Sequence, residues 1–292
     1  MEKIAIVTDS NSGISPEEAK ELGVYVLPMP FFVDGVMHYE GVDFTQEDFY
    51  EKLAEDADMS TSMPSPGDVM DLWDKALEEN DVVVHIPMSS GLSGSYEAAV
   101  GFAKSDYEGK VFVVDNKRIF VTLKQSIVEA VALREVGKSA KEIKEALEAH
   151  GPESFIYFSV DTLKYLKKGG RISPAAAAIG TVLNLKPVLV YRGEKMEPFE
   201  KARGSKASRK AILKGVEAEM KERFGEETHQ LTFTIPFTCT DEEAETWRDE
   251  VVAHFPEFKK EEIELSRISI SVACHTGPGV VALGCTKKLN FQ

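Results

Sequence analysis

Base is scarce in this chain. Its 292 residues hold 34 Lys+Arg against 49 Asp+Glu, a formal net charge of −15. Phosphate backbones and anionic lipid headgroups need a basic surface, so the global balance argues against a nucleic-acid partner and against docking on such a membrane. Cysteine is scarcer still. Cys239, Cys274 and Cys285 form no CxxC pair, and three thiols cannot all close disulfides. A reduced, cytoplasmic setting with buried thiols fits, and zinc is not indicated. Long apolar runs are missing too, with none near the roughly eighteen residues of a membrane span. The start, MEKIAIVTDS, has an acid at position 2 and a strand-like pattern in place of a basic leader. The six histidines show no HExxH spacing, and no loop carries G-x-G-x-x-G, so neither a metal nor a dinucleotide cofactor is expected.

What is present is ordinary globular composition, 43% hydrophobic and 28% charged, on a chain long enough for about two domains. Base is also unevenly spread. Thr162 to Val216 holds thirteen Lys/Arg and three acids, a local balance of +10, which leaves −25 on the remainder.

Strand and helix signals alternate. Lys3–Thr8 is apolar and β-branched, and Ser15-Pro16-Glu17-Glu18 supplies an N-cap, a first-turn proline and two acids. Phe31–Tyr39 carries Asp34-Gly35 at its middle, a hairpin signal. Thr45 with Asp48, and Ser65-Pro66-Gly67-Asp68, open two further helices. Asp81–Pro87 is a continuous apolar run, as in a strand covered on both faces. The alternation predicts a mostly parallel sheet within an α/β/α domain. A break at Ala149-His150-Gly151-Pro152 places the boundary between residues 1–151 and 152–292. The second half reads as a mixed-sheet α/β domain closing in two strand-like runs, Ile268–Ala273 and Gly279–Thr286.

Four segments carry polar groups that suit a ligand. Met88–Ala99, MSSGLSGSYEAA, follows the buried strand and opens a helix whose free N–H groups and dipole favour a carboxylate or phosphate beside Ser93. An ordinary Ser/Gly cap explains the same turn. Ser60–Gly67, STSMPSPG, sets hydroxyls before its own helix and would crown the same end of the sheet, where open α/β sheets bind ligands; a capping Ser65 in a solvated loop explains it as well. Asp9–Gly13 forms a third loop on that edge. Cys274–Gly279, CHTGPG, is expected to leave His275 on a loop between strands. The basic runs Lys164–Ser173 and Lys201–Lys210 include Arg171 and Arg203, whose neighbours are glycine or small residues, so their guanidinium groups could approach an anion.

Taken together, IVTDSNSGIS, STSMPSPG, SSGLSGSYEAA, DTLKYLKKGGRIS, LNLKPVL with KARGSKAS, and HTGPG resemble the DegV family of bacterial fatty-acid-binding proteins, in family order from Ile6 to Gly284. The resemblance implies a two-domain α/β fold with an acyl chain buried between or beneath the domains. It implies that Thr61, Ser93 and the Gly94 N–H, assisted by Ser62, bind the fatty-acid carboxylate, with His275 beside the head group. It further implies a carrier without its own catalytic residues. Such a carrier presents its long-chain fatty acid to a separate ATP-dependent kinase subunit, which forms an acyl phosphate for phospholipid metabolism. Arg171 and Arg203 would face that kinase or the transferring phosphate. Met63 stands where the family often has Gln, and Thr238-Cys239-Thr240 lacks a His common in that region. Ala175–Ala178 with Ile179, Val182 and Leu183 suits either a tunnel wall or core packing.

Two other classes compete. Gly91-Leu92-Ser93-Gly94-Ser95 is one glycine short of G-x-S-x-G, so a serine hydrolase with Ser93 as nucleophile and His275 as base is the alternative. A dihydroxyacetone-kinase-like subunit would need a covalent substrate adduct on His275.

Overall fold

The computed structural model describes residues 2–179, 185–225 and 228–290. The chain divides into two units, Met1–Pro152 with Ser269–Ser271 and Leu289–Gln292, and Glu153–Ile268 with Val272–Lys288.

In the first unit the chain runs β1 (Ile4–Asp9), α1 (Pro16–Leu22), β2 (Val24–Leu27), β3 (Pro30–Val33), β4 (Val36–Tyr39), α2 (Gln46–Ala54), β5 (Met59–Thr61) and α3 (Pro66–Leu77). It continues through β6 (Val82–Ile86), α4 (Ser95–Asp106), β7 (Val111–Val113), α5 (Val121–Glu135) and α6 (Ala140–His150). The main sheet has the order β2-β1-β6-β7 and is wholly parallel. Its strands are apolar on both sides because both faces are covered. Ile4, Ile6, Val82, Val84 and Ile86 pack with α5 and α6 residues such as Ile127 and Leu147. The alternate residues Ala5, Val7 and Val83 meet Trp73 of α3 and Ala99 of α4.

The expected caps form. Ser15, Thr45 and Ser65 each accept an N3 N–H, and Glu18, Asp48 and Asp68 return the bond to the cap. The Asp34-Gly35 turn has φ +48° and +81°, as a type I′ hairpin needs, and joins β3 to β4. One element differs from expectation. Met59–Thr61, read as loop, is β5, paired antiparallel with β3 at Phe31↔Thr61 to complete a three-stranded sheet. Three residues, Met-Ser-Thr, carry too little alternation to be read as a strand.

The second unit runs β8 (Ser154–Ser159), α7 (Lys164–Gly169), α8 (Pro174–Ala177), β9 (Leu185–Tyr191), β10 (Glu197–Arg203), α9 (Ser205–Phe224), β11 (Leu231–Phe237), α10 (Asp241–His254) and β12 (Glu264–Arg267). The chain ends in α11 (Ile270–Thr276), whose first two residues belong to the first unit and the rest to the second, and in β13 (Val281–Lys287) of the second unit. Its sheet order is β10-β9-β8-β13-β11-β12, antiparallel except for β11 with β12. Helices α9 and α10 cover one face through Ile212, Val216, Met220, Trp247 and Val251. The expected mixed sheet is therefore observed. Within ISPAAAAIGTVLNL the described residues include one helical turn, Pro174–Ala177; residues 180–184, with Val182 and Leu183 among them, lie outside the described residues.

Ile268–Ala273 is not a strand. Its Ile-Ser-Ile-Ser-Val alternation mimics period two, but Ile270, Ala273 and Cys274 are buried at i, i+3 and i+4, the spacing of a helix face. His275 is consequently the next-to-last residue of α11 and not a loop residue. Among the described residues no helix is long and apolar enough to cross a membrane.

Candidate functional site

Strand order places the chemistry of the first unit. The chain leaves β1 toward β2 on one side and returns to β6 on the other, so the carboxyl ends of β1 and β6 flank a topological switch point, the usual ligand position in an open α/β sheet. The loops that follow these strands are tied together. The Asp9 carboxylate accepts the N–H of Asn11 at 2.9 Å and of Met88 at 2.8 Å.

From Met88 the loop is built by short-range bonds. Ser89 Oγ accepts the Gly91 N–H at 3.0 Å, and the Ser89 carbonyl accepts Leu92 and Ser93 at 3.0 and 3.2 Å. Its other flank is held by the loop after β7. There Ser90 Oγ donates to Asp115 at 2.7 Å, and the Arg118 carbonyl accepts the Ser89 N–H at 2.9 Å. Ser93 Oγ lies 2.8 Å from Ser95 Oγ and accepts the Ser95 N–H at 3.2 Å. Gly94 caps α4 without a side-chain bond and is exposed. The start of α4 therefore combines a hydroxyl, open backbone donors and the positive end of a twelve-residue helix dipole. Such a set suits an anion bound through neutral donors.

STSMPSPG reaches the same place. Thr61 ends β5 and is half-buried, while Ser62 is exposed and donates to the Met63 carbonyl at 2.9 Å. Met63 Sδ lies 3.9 Å from where a Cβ on Gly94 would stand. The fold thus brings the two hydroxyl-bearing loops of the first unit together.

In the second unit His275 packs against Gly169 so closely that a Cβ there would lie 2.1 Å from Nδ1; only glycine admits the ring. Burial holds the imidazole well below its ordinary range, at about 4, and the charges of Arg171 and Lys168 add to this. His275 is accordingly neutral near pH 7, a hydrogen-bonding group rather than a cation. Arg171 donates to the Gly169 carbonyl, so the C-terminus of α7 holds Arg171 beside the same ring. Arg203 is the exposed last residue of β10, opposite Leu185.

The serine-nucleophile reading finds no support. The Ser93 hydroxyl is engaged by Ser95, which stands where the elbow motif needs its second glycine. Sequence reading missed Lys168 as a neighbour of His275, and it missed Asp115 and Lys117 as the brace of Ser90. The run of charges hid the first. The second required knowing that β7 lies beside β6.

An α/β protein with a polar edge over a parallel switch point, joined in one chain to a mixed-sheet unit, is the class that fold and loops define. The comparisons narrow it. Residues 3–288 match the family described as "Uncharacterised protein, DegV family", and the chain belongs to the DegV family. A DegV domain-containing protein of Listeria innocua is 31% identical, with 97% of this chain and 98% of that protein covered. Among solved structures, one described as "Fatty Acid Binding of a DegV family Protein from Thermus thermophilus" is 33% identical with TM-score 0.86, covering 98% of this chain and 99% of that one. A stearic-acid-binding protein from Eubacterium ventriosum is 26% identical with TM-score 0.86, covering 99% of each.

Proposed function

We propose that this protein binds a long-chain fatty acid and presents its carboxylate to a separate ATP-dependent kinase subunit, which converts it to an acyl phosphate for phospholipid metabolism. The observation that carries the binding half is the likeness, over nearly the whole of both chains, to the fatty-acid-binding Thermus thermophilus protein. In this reading residues 1–151 carry the carboxylate-binding loops, with Thr61, Ser62, Ser93 and the Gly94 N–H as donors. Residues 152–292 carry His275, the further head-group donor, and the basic block.

The chemistry of these groups favours the assignment. Hydroxyls, N–H groups and a neutral imidazole hold a carboxylate without a full countercharge, so the head group stays exchangeable and the tail supplies the affinity. At about 0.8 kcal/mol per buried methylene, a sixteen-carbon tail offers on the order of 10 kcal/mol before ordering costs. Arg171 and Arg203 would face the kinase and the transferring phosphoryl group, where guanidinium groups stabilise developing negative charge. The protein itself performs no bond-making step. It is a cytoplasmic carrier.

Mass spectrometry of lipid extracted from the purified protein tests the reading. A stoichiometric long-chain fatty acid is expected, and the double variant Ser93→Ala/Thr61→Ala should lose most of it. A double variant with unchanged lipid content overturns the site. Arg203→Ala should keep the lipid yet slow acyl-phosphate formation with a cognate kinase; equal rates overturn the presenting role.

A further inference from the structure

We infer that Asp9 is a positioning residue for the carboxylate-binding loop, acting through the Met88 N–H across the switch point between β1 and β6. The inference rests on the reading that Ser93 and Gly94 bind the head group. Asp9 is 1% exposed at the end of β1. Its two oxygens are both spent on backbone N–H groups, one in its own turn at Asn11 and one seventy-nine residues away at Met88. Asn11 reinforces the second tie. Its carboxamide N–H donates to Met88 Sδ at 2.9 Å, and its oxygen accepts the Ser271 hydroxyl. Met88 is therefore held by main chain and side chain from the β1 loop.

That anchor fixes the start of the loop, while the Arg118 carbonyl and Asp115 brace its other flank at Ser89 and Ser90. Ser89 follows Met88 directly, the Ser89 carbonyl collects the Leu92 and Ser93 N–H groups, and Ser93 Oγ accepts the Ser95 N–H at the first residue of α4. A carboxylate can serve two N–H donors at once. A protonated carboxyl turns one oxygen into a donor, which faces one of the N–H groups unfavourably. The same is true of an Asn side chain, whose NH2 replaces one acceptor.

Burial is the main influence on this carboxyl, only partly offset by the Met88 and Asn11 bonds, and its pKa is raised to about 6. No charged side chain contributes to that shift. The charges on the surrounding elements are committed elsewhere. Lys124 of α5 pairs with Glu18, Glu129 of α5 with Arg118, Asp115 with Lys117 in the loop after β7, and Glu40 accepts the Ile270 N–H. The bond that sets the loop therefore changes state just below neutral pH. Loss of a charge-assisted hydrogen bond of this kind corresponds to roughly a tenfold change in affinity.

The test is the ratio of palmitate dissociation constants for delipidated D9N and wild-type protein between pH 5.5 and 8. A ratio cancels the titration of palmitate itself. The ratio is expected to be roughly ten at pH 8 and to fall toward one at pH 5.5, as wild-type Asp9 takes up its proton. A ratio near one at pH 8, or one that does not vary with pH, overturns the positioning role. In wild-type protein the Met88 and Ser93 amide resonances should shift together with a midpoint near 6, a readout that does not depend on D9N folding; a stationary Ser93 amide overturns the inference. Ser93→Ala measured in parallel separates the two readings, because wild-type affinity in that variant overturns the site itself and not Asp9.

Discussion

Each unit buries a carboxylate that several neighbours hydrogen-bond, and the two respond in opposite directions. Asp9, in the first unit, is raised to about 6. Glu219, in the second, is held below its ordinary range. Burial is the largest influence on both and by itself raises both. The difference lies in the partners. Asp9 has only backbone N–H groups and Asn11. Glu219 accepts two guanidinium groups, from Arg192 at 2.7 Å and Arg223 at 3.0 Å, and the Tyr157 hydroxyl at 2.7 Å. At Asp9 the two N–H bonds and Asn11 do not offset desolvation, whereas at Glu219 the added guanidinium charges do. The Glu219 cluster therefore acts as a rivet of α9 onto β8 and β9, while Asp9 remains titratable near neutrality at the edge of a binding loop.

A third carboxylate sharpens the comparison, because it combines deep burial with a cation. Arg118 and Glu129 are 1% and 2% exposed and 3.3 Å apart, and Arg118 also donates to the carbonyls of His150 and Gly151. Arg118→Met should be the most damaging of these changes. It strands a buried charge and two carbonyls, costing about 3–5 kcal/mol in urea unfolding followed by circular dichroism. A loss below about 1 kcal/mol would mean that Glu129 finds another partner.

The Asp9 effect comes next. A folded pKa raised from 3.8 to about 6 gives stability that is full below 3.8 and is lost as pH rises through 6. The loss is at most about 3 kcal/mol by linkage, and Asp9→Asn should remove it. Unfolding free energies of both proteins from pH 4 to 8 check this, with parallel profiles contradicting it. Glu219→Gln should cost about 2 kcal/mol near pH 7, where the lowered pKa keeps the wild-type group charged. The wild-type advantage should fade as pH drops through that lowered value, the reverse of Asp9. A variant whose deficit persists at low pH would show that shape, not charge, is what α9 needs.

Much of the local structure was legible. The capping boxes at Ser15, Thr45 and Ser65, the Asp34-Gly35 hairpin and the doubly buried Asp81–Pro87 run all follow from residues within a few positions of one another. The six motifs also pointed to the family to which the chain belongs. Illegible segments were those where two periods compete or where a partner supplies the element. Ile268–Ala273 satisfies both a strand and a helix pattern, and burial of Ile270, Ala273 and Cys274 decides for the helix. Met59–Thr61 and Glu264–Arg267 are short strands specified by the neighbours they pair with, β3 and β11. His275 followed α11 out of its expected loop.

By itself the sequence determined the faces of the strands, the starts of the helices and the uneven placement of charge, because caps, turns and alternation act over a few residues. Only the tertiary structure decided that β6 lies beside β1, since no local signal links Asp9 to Met88 across seventy-nine positions. That neighbourhood settles which loops share an edge and whether a buried carboxylate meets a cation or only N–H groups. The same functional group therefore titrates near neutrality at Asp9 in one unit and stays charged at Glu219 in the other.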